Sequence, residues 1–340
     1  MPFLDAYGRP MRNLRVSVTD RCNLRCSYCM PEEEYSWLPK GDILSLEEIA
    51  KLVEIFTLNG VKKLRLTGGE PLMRRGLSEL VAMFAANPGV EDLAMTTNGV
   101  LLAERARSLF QAGLHRVTVS LDSLDRERFR TITRSDCLEE VLKGLERAQE
   151  VGFRGTKIDT VVMRGVNDDE LEDLIEYGRR VGAEVRFIEY MDVGGATRWS
   201  KDSVVPRDEI LALLTSRYGP IEAVEEVTSA PADRFRLPDG TVFGVISSTT
   251  APFCDSCDRS RLTADGTWYH CLYATGGIDL RTPLRASASR EEMRALLEAR
   301  WSRRDHRGAA DRLSQADRAA LHGADHLAGD PKLEMHTRGG

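Results

Sequence analysis

Short apolar runs rich in β-branched residues alternate with amphipathic segments along the first 190 or so residues. The runs predict six strands, at Leu14–Val18, Lys63–Leu66, Leu93–Thr96, Arg116–Leu121, Lys157–Met163 and Val185–Tyr190. Most of the segments between them repeat apolar positions with the helical period, and one of them opens with a capping-box pair, Ser45 and Glu48. Repeated strand–helix units predict an α/β fold with a parallel sheet, and six units favour an incomplete (βα)6 TIM-like barrel.

This pattern stops near Gly194-Gly195. Beyond it the sequence predicts a helix at Arg207–Tyr218 and short strands around Ile221–Val227 and Thr241–Ser247. We therefore predict two domains, a barrel at 1–194 and a C-terminal α+β domain at 195–340 that closes the barrel mouth. The last forty residues are rich in Ala, Asp, Arg and His, and we expect them to pack loosely, with a flexible Gly-Gly tail.

Charge and composition exclude several classes of partner. The chain has 340 residues, of which 42% are hydrophobic, and a formal net charge of −6. No basic field is available to hold nucleic acid or an anionic membrane, so an anionic ligand must meet local basic residues. No apolar run approaches the roughly 20 residues of a membrane span, and we expect a cytoplasmic protein without a membrane partner.

Six of the seven cysteines form two triples. Cys22, Cys26 and Cys29 have C-x3-C-x2-C spacing, and Cys254, Cys257 and Cys271 have C-x2-C-x13-C spacing. In a reducing compartment such groups indicate metal binding or catalysis. Cys137 stands apart, and a small buried side chain at the start of a helix is its simplest interpretation.

Neither triple closes a structural zinc site, which takes four ligands. His270 could complete a Cys3His site in the second triple, whereas the first triple has no nearby histidine. Ferredoxin-type runs supply four thiolates. Three thiolates with an open position instead indicate a site where chemistry takes place on an added ligand.

Other unusual residues follow the predicted strands. The first triple follows strand one, GGEP (Gly68–Pro71) follows strand two, TTNG follows strand three, and Ser120-Leu121-Asp122 ends strand four. Each is an ordinary turn signal when taken alone. Because all of them fall at the carboxyl ends of parallel strands, they predict one binding rim.

These motifs resemble the radical SAM superfamily: the first triple with Tyr28 before its last cysteine, followed by GGEP. In that superfamily the open iron of a 4Fe-4S cluster binds S-adenosylmethionine (SAM), which is cleaved to a 5′-deoxyadenosyl radical. With GRPMRNLRVSVTDRCNLRCSYCMP, KLRLTGGEPLMRR, the second triple and the final Gly-Gly, the chain resembles the GTP 3′,8-cyclase family, molybdenum cofactor biosynthesis protein A. The resemblance implies a second 4Fe-4S cluster that contacts GTP, hydrogen abstraction from C3′ and attack of that carbon on C8.

The resemblance also implies roles for individual residues. The first triple would hold the SAM cluster and the second triple the substrate cluster. The implied SAM contacts are Tyr28, Gly69, Ser120 and Met191, and the implied GTP contacts are Arg15, Arg65, Thr96, Lys157, Arg259, Ser260 and Arg261. The tail, Arg338, Gly339 and Gly340, would reach into the active site, with Arg338 as the cation that it delivers. The chain has no G-x4-G-K-[ST] loop to bind the triphosphate of GTP. Arginine side chains, which suit bidentate phosphate binding, would bind it instead.

Two alternatives remain open at this point. One is a radical SAM enzyme that modifies a peptide, and the other is a non-catalytic zinc or iron–sulfur nucleotide sensor. A single arginine at a strand end is often a rim salt bridge, Met191 could be a core residue, and Lys157 could be a solvated strand start. A reducing electron donor and the next enzyme of the molybdopterin pathway are implied partners, and the sequence allows a homodimer without requiring one.

Overall fold

The structure, a computed structural model, describes residues 3–226, 228–315 and 317–339. Its strands are β1 (Asn13–Ser17), β2 (Lys63–Thr67), β3 (Asp92–Thr97), β4 (Arg116–Ser120), β5 (Lys157–Val162), β6 (Glu184–Glu189), β7 (Glu222–Val224), β8 (Asp233–Arg236), β9 (Val242–Ile246), β10 (Arg259–Leu262), β11 (Thr267–Tyr269) and β12 (Ile278–Asp279).

The helices lie mainly between the parallel strands and after the last strand. They are α1 (Leu46–Leu58), α2 (Leu77–Ala85), α3 (Leu102–Gln111), α4 (Arg126–Thr133), α5 (Leu138–Val151), α6 (Leu171–Arg180), α7 (Arg207–Tyr218), α8 (Arg281–Arg285), α9 (Arg290–Trp301), α10 (Gly308–Leu313), α11 (Ala324–Gly329) and α12 (Met335–Arg338). None of the helices in the described ranges is long and apolar enough to cross a membrane.

All strands of the described residues join one sheet, in the order β12-β11-β10-β1-β2-β3-β4-β5-β6-β9-β8-β7. Strands β1 to β6 are parallel neighbours in chain order. The six strands predicted from the sequence are confirmed to within one residue at each end, and so is the incomplete (βα)6 barrel. Helix α7 coincides with its predicted bounds.

The capping box at Ser45 is present. The Ser45 Oγ accepts a hydrogen bond from the Glu48 amide at 3.1 Å, and the Ser45 amide donates to the Glu48 carboxylate at 2.8 Å. Helix α1 then turns Ile49, Leu52 and Phe56 into the core. Local sequence signals therefore set the start of this helix, and apolar periodicity sets its buried face.

The C-terminal region is built into the barrel sheet. Strand β10 pairs in parallel with β1 at one side, and β9 pairs in parallel with β6 at the other. The main apolar core is continuous across residue 194, and Phe56 of α1 lies edge-on to Trp268 of β11 at 5.5 Å between ring centroids. Both predicted domains thus contribute to one sheet and one core, and the boundary near residue 194 stays a prediction.

The last forty residues are buried at particular points. Trp301, Arg304, Leu327 and Leu333 are buried, and Arg338 is only 1% exposed. Most described residues between 302 and 330 are exposed or half-buried, whereas Arg338 and Gly339 of the tail are buried. Ala316 and Gly340, and Val227 at the end of a predicted strand, lie outside the described residues.

Candidate active site

One cavity of about 330 Å³ opens at the carboxyl ends of the parallel strands. Most of the side chains that the sequence singled out line it. They are the six cysteines of the two triples (Cys22, Cys26, Cys29, Cys254, Cys257 and Cys271), together with Tyr28, Gly69, Ser120, Met191, Arg15, Thr96, Arg259, Ser260 and Arg261. Residues from the two ends of the chain therefore meet in one space.

The first cysteine triple lies in the loop after β1. The amides of Cys29 and Met30 both donate to the Cys26 carbonyl, at 3.0 and 2.7 Å, so the loop turns tightly around Cys26. It crosses directly over the GGEP segment. A Cβ on Gly69 would lie 2.3 Å from the Arg21 carbonyl oxygen, so only glycine lets the two loops approach this closely.

Glu70 of GGEP ties two rim loops together. Its carboxylate accepts hydrogen bonds from Leu72 N at 2.9 Å, Thr97 Oγ1 at 2.7 Å and Asn98 N at 2.7 Å. Burial raises the pKa of Glu70 to about 7. The Asn98 side chain in turn lies 3.9 Å from Cys22 Sγ, which brings the loop after β3 to the first triple.

Tyr28 connects the first triple to the end of β4. Its hydroxyl donates to Asp122 Oδ2 at 2.7 Å. Burial raises the pKa of Asp122 to about 6, and this carboxylate also accepts from the Val161 amide at 2.9 Å. The hydrogen bond to Asp122 therefore holds the aromatic residue before the last cysteine against the end of β4.

The second triple is assembled by a hairpin. Cys254 begins a short 3-10 turn, Cys257 precedes β10, and Cys271 follows β11, the antiparallel partner of β10. Burial opposes ionisation of Cys257, but the charges of Arg259 and Arg304 outweigh it and lower its pKa to about 7. All seven cysteines are free thiols.

Each cysteine triple fits a 4Fe-4S cluster by its donor chemistry. All three cysteines of each triple line the cavity, and thiolates are the ligands that iron–sulfur clusters use. Three thiolates would leave one iron of a cube open to a further ligand. His270 lies against Trp268, with 4.3 Å between ring centroids, and burial lowers its pKa to about 4.

Three arginines form a row across neighbouring strands. The strand register places Arg15 of β1 beside Arg65 of β2 on one side and beside Arg261 of β10 on the other. Burial, followed by the charges of Arg261, Arg65 and Arg259, lowers the pKa of Arg15 well below its ordinary value. Like charges side by side in a buried sheet are destabilising unless an anion meets them. The buried carboxylate of Asp159 on β5 faces Arg15 and Arg65, and it balances only part of the positive charge of the row.

Two of the implied GTP contacts lie off the cavity wall. Arg65 donates to Thr96 Oγ1 at 2.9 Å and to Thr118 Oγ1 at 3.0 Å, below the rim. Lys157 begins β5, is 8% exposed, and donates to the Gly155 carbonyl at 3.1 Å. Burial lowers its pKa to about 8. It is therefore not the solvated strand start that its position suggests.

The tail enters the site as an ordered segment. The Arg338 guanidinium donates to the carbonyls of Leu272, Ala274 and Lys332 at 2.7–2.8 Å, so it anchors the tail and is not a free cation in the cavity. Gly339 presents its carbonyl to Arg261 Nη1 at 2.5 Å and to Arg15 Nη1 at 3.4 Å. The role expected for Arg338 as a delivered cation is contradicted by these contacts.

Several residues that line the cavity were missed by sequence reasoning. Asp159 lies inside β5, Phe253 and Tyr273 flank the second cysteine triple, and His336 precedes the tail. Asp159 could have been suspected, since it is a charged residue inside an apolar strand. Phe253 and Tyr273 could have been suspected from their places beside Cys254 and Cys271, whereas His336 had no signal of its own.

Comparison with known proteins decides the family. Residues 16–178 match the radical SAM superfamily, and residues 183–310 match the Molybdenum Cofactor Synthesis C family. GTP 3′,8-cyclase 3 of Mycobacterium bovis is 54% identical over 343 residues, which cover 100% of this chain and 91% of that protein. The chain belongs to the GTP 3′,8-cyclase family.

Other members of the GTP 3′,8-cyclase family match along nearly the whole chain. GTP 3′,8-cyclase 1 of Mycobacterium tuberculosis is 54% identical and covers 99% of this chain and 95% of that protein. The GTP 3′,8-cyclase of Acidothermus cellulolyticus is 44% identical and covers 100% and 99%. As a radical SAM member of this family, the chain is a lyase that uses SAM and two 4Fe-4S clusters.

The fold itself is shared with a distant solved structure. Streptococcus suis SuiB, crystallised with S-adenosylmethionine, superimposes with a TM-score of 0.61 at 14% identity, covering 91% of this chain and 69% of SuiB. This likeness extends the barrel assignment to the C-terminal strands but carries no information on substrate.

Proposed function

We propose that this chain is a GTP 3′,8-cyclase that converts GTP to (8S)-3′,8-cyclo-7,8-dihydroguanosine 5′-triphosphate, the first step of molybdenum cofactor biosynthesis. The observation that carries the proposal is the buried row Arg65–Arg15–Arg261, of which Arg15 and Arg261 line the same cavity as both cysteine triples. A triphosphate supplies more negative charge to this row than the single carboxylate of Asp159 does. An uncharged peptide would leave most of the positive charge of the row unbalanced.

In this proposal each part of the cavity has one task. Cys22, Cys26 and Cys29 hold the first cluster, with Tyr28, Gly69, Ser120 and Met191 around the SAM position. When bound, that cluster and SAM supply the radical that removes hydrogen from C3′ of the ribose. Cys254, Cys257 and Cys271 hold the second cluster on the opposite wall.

The remaining residues orient the nucleotide between the two triples. Arg15, Arg259 and Arg261 bind phosphate oxygens, and Ser260 and Thr96 offer hydroxyl groups beside them. The Gly339 carbonyl, held between Arg15 and Arg261, limits how the two guanidinium groups turn. Holding the reacting carbon in one pose can accelerate the reaction by several orders of magnitude.

The test is an anaerobic assay of the reconstituted protein with GTP, SAM and a strong reductant. Wild type should form 5′-deoxyadenosine and the cyclised nucleotide. Cys257→Ala should keep about four of about eight irons, still cleave SAM slowly, and form little cyclised product, whereas Cys26→Ala should lose both reactions. Cyclisation by an iron-free sample, or none by the fully loaded wild type, contradicts the proposal.

The partners and the location follow as parts of the same proposal. A low-potential donor supplies the electron for SAM cleavage, and the product passes to the next enzyme of the molybdopterin pathway. Seven free thiols support a reducing, cytoplasmic location. A homodimer is compatible with this proposal but not required by it, and sedimentation equilibrium measures the oligomeric state.

A further inference from the structure

Two arginines and one aspartate form a buried ion cluster behind the second cysteine triple. The Asp5, Arg9 and Arg304 side chains are 0%, 4% and 1% exposed. Asp5 Oδ2 accepts from Arg9 Nε at 2.7 Å and from Arg304 Nη1 at 3.0 Å. Because one carboxylate faces two guanidinium groups, the Asp5–Arg9–Arg304 cluster carries a net charge of about +1 away from water.

Both arginines donate directly to the cysteine loop. Arg9 Nη1 donates to the Cys254 carbonyl at 2.7 Å, and Arg304 Nη1 donates to the Cys257 carbonyl at 2.8 Å. Arg304 Nη2 also lies 3.5 Å from Cys257 Sγ, within hydrogen-bond distance for sulfur. The two arginines therefore contact two of the three thiol residues, and one of them contacts the sulfur itself.

The surrounding contacts hold this arrangement rigidly. Trp301 Nε1 donates to the Arg9 carbonyl at 3.1 Å, and the Arg304 guanidinium stacks on the Trp301 ring at 4.6 Å. The N-terminal segment and the segment after α9 thus meet at one point. A buried excess of positive charge is costly in an apolar core unless an anion lies nearby.

We propose that the Asp5–Arg9–Arg304 cluster positions the second iron–sulfur cluster and raises its reduction potential. A cube on three thiolates is an anion, and reduction makes it more negative. Nearby positive charge and an N–H···S bond both stabilise the reduced form more than the oxidised form. The inference rests on the second cluster of the proposed function, and Arg304 is a positioning residue that acts through Cys257.

The test measures a potential, separately from turnover. The full-length chain with Cys22, Cys26 and Cys29 all changed to Ala is reconstituted anaerobically, so that the second cluster alone contributes to the EPR-monitored redox titration. About four irons per chain in this background establish the second cluster, whatever the arginines do. Fewer than that would count against the proposed function and not against the inference.

The expected shifts differ in sign between variants. Arg304→Met removes a buried positive charge and the donor to sulfur, so the midpoint potential should fall. Arg304→Lys keeps the positive charge but loses the planar guanidinium with its several N–H donors. The midpoint potential of this variant should therefore fall by less. Asp5→Asn removes the compensating negative charge, and the potential should rise. Arg303→Met, at the exposed neighbouring position, should leave the potential unchanged.

A merely structural role predicts a different pattern. In that case Arg304→Met would lower the iron content, while the clusters that do assemble would titrate at the wild-type potential. That result overturns the proposal. If Arg304→Met fails to hold iron, the Lys and Asn variants decide: shifts of opposite sign support the inference, and shifts of the same sign or none overturn it.

Discussion

At the residue scale, the two kinds of ligand differed in how visible they are in the sequence. Cys22, Cys26 and Cys29 lie within one loop, so their spacing is itself the signal. Arg15, Arg65 and Arg261 become neighbours only through the register of β10, β1 and β2. Strand register is set by packing of whole strands, and no local spacing records it.

We propose that Lys157, which lies off the cavity wall in this structure, meets a phosphate of bound GTP, and this contact predicts a pH dependence of GTP binding. Burial, aided by Arg186, lowers the pKa of Lys157 to about 8. The side chain is cationic below that pH and neutral above it, so affinity should fall by about tenfold between roughly pH 7 and pH 9.5 if one charged contact to phosphate is lost. Equilibrium dialysis without SAM measures this.

Lys157→Arg is the matched control for that experiment. Arginine keeps its charge throughout this pH range, so the variant should show no such fall. A parallel decline in wild type and Lys157→Arg would mean that Lys157 does not meet the nucleotide.

At the element scale, the structure changes how the end of the chain must be understood. Helix α12 and Gly339 are buried against the rim strands, and a Cβ on Gly339 would lie 2.1 Å from Thr67 Oγ1. Gly339 also adopts a φ of 66°, in the left-handed region that favours glycine. The glycine is required here by close approach and by backbone conformation together.

Removal of Gly339 and Gly340 should separate cluster binding from turnover. The deletion leaves both cysteine triples intact, so the iron content should stay at about eight per chain. It removes the carbonyl that Arg15 and Arg261 share, so the nucleotide should bind in several poses and cyclisation should fall by at least about tenfold. Iron analysis and product formation measure the two effects.

The Arg338→Met variant also tests whether the tail affects turnover separately from cluster binding, and it does so without shortening the chain. It removes three hydrogen bonds to backbone carbonyls while leaving Gly339 in place. The rate of cyclisation should fall, and the iron content per chain should stay at the wild-type value. Full-rate turnover by both variants would show that the tail has no part in catalysis.

At the scale of the whole molecule, the C-terminal region completes the barrel sheet at both sides. Strands β9 and β10 cover β6 and β1, and Trp268 and Phe243 belong to the same core as the barrel helices. A chain ending at residue 194 would expose two strand edges and this apolar surface. We expect it to aggregate, whereas the full chain elutes as a defined species with native circular dichroism. A soluble, folded 1–194 fragment would contradict the shared core.

Oxygen sensitivity is expected for the molecule as a whole. Both cysteine triples line one cavity that opens at the strand ends, so an iron left without a protein ligand there is reachable from solvent. Aerobic purification should bleach the protein and abolish SAM cleavage, and anaerobic reconstitution with iron and sulfide should restore both. An air-handled, iron-free sample with full activity would refute the radical mechanism.

The sequence by itself determined the six strand–helix units, the capped start of α1 and both cysteine triples. These features depend on side-chain periodicity or on short spacings, which a linear pattern carries in full. Only the tertiary structure decided that strands β7 to β12 belong to the barrel sheet, that Arg338 is an anchor, and that Asp5, Arg9 and Arg304 lie behind Cys257. Those relations join residues as many as about 300 positions apart. They arise from strand register and from the pairing of buried charges, which only the folded chain brings together.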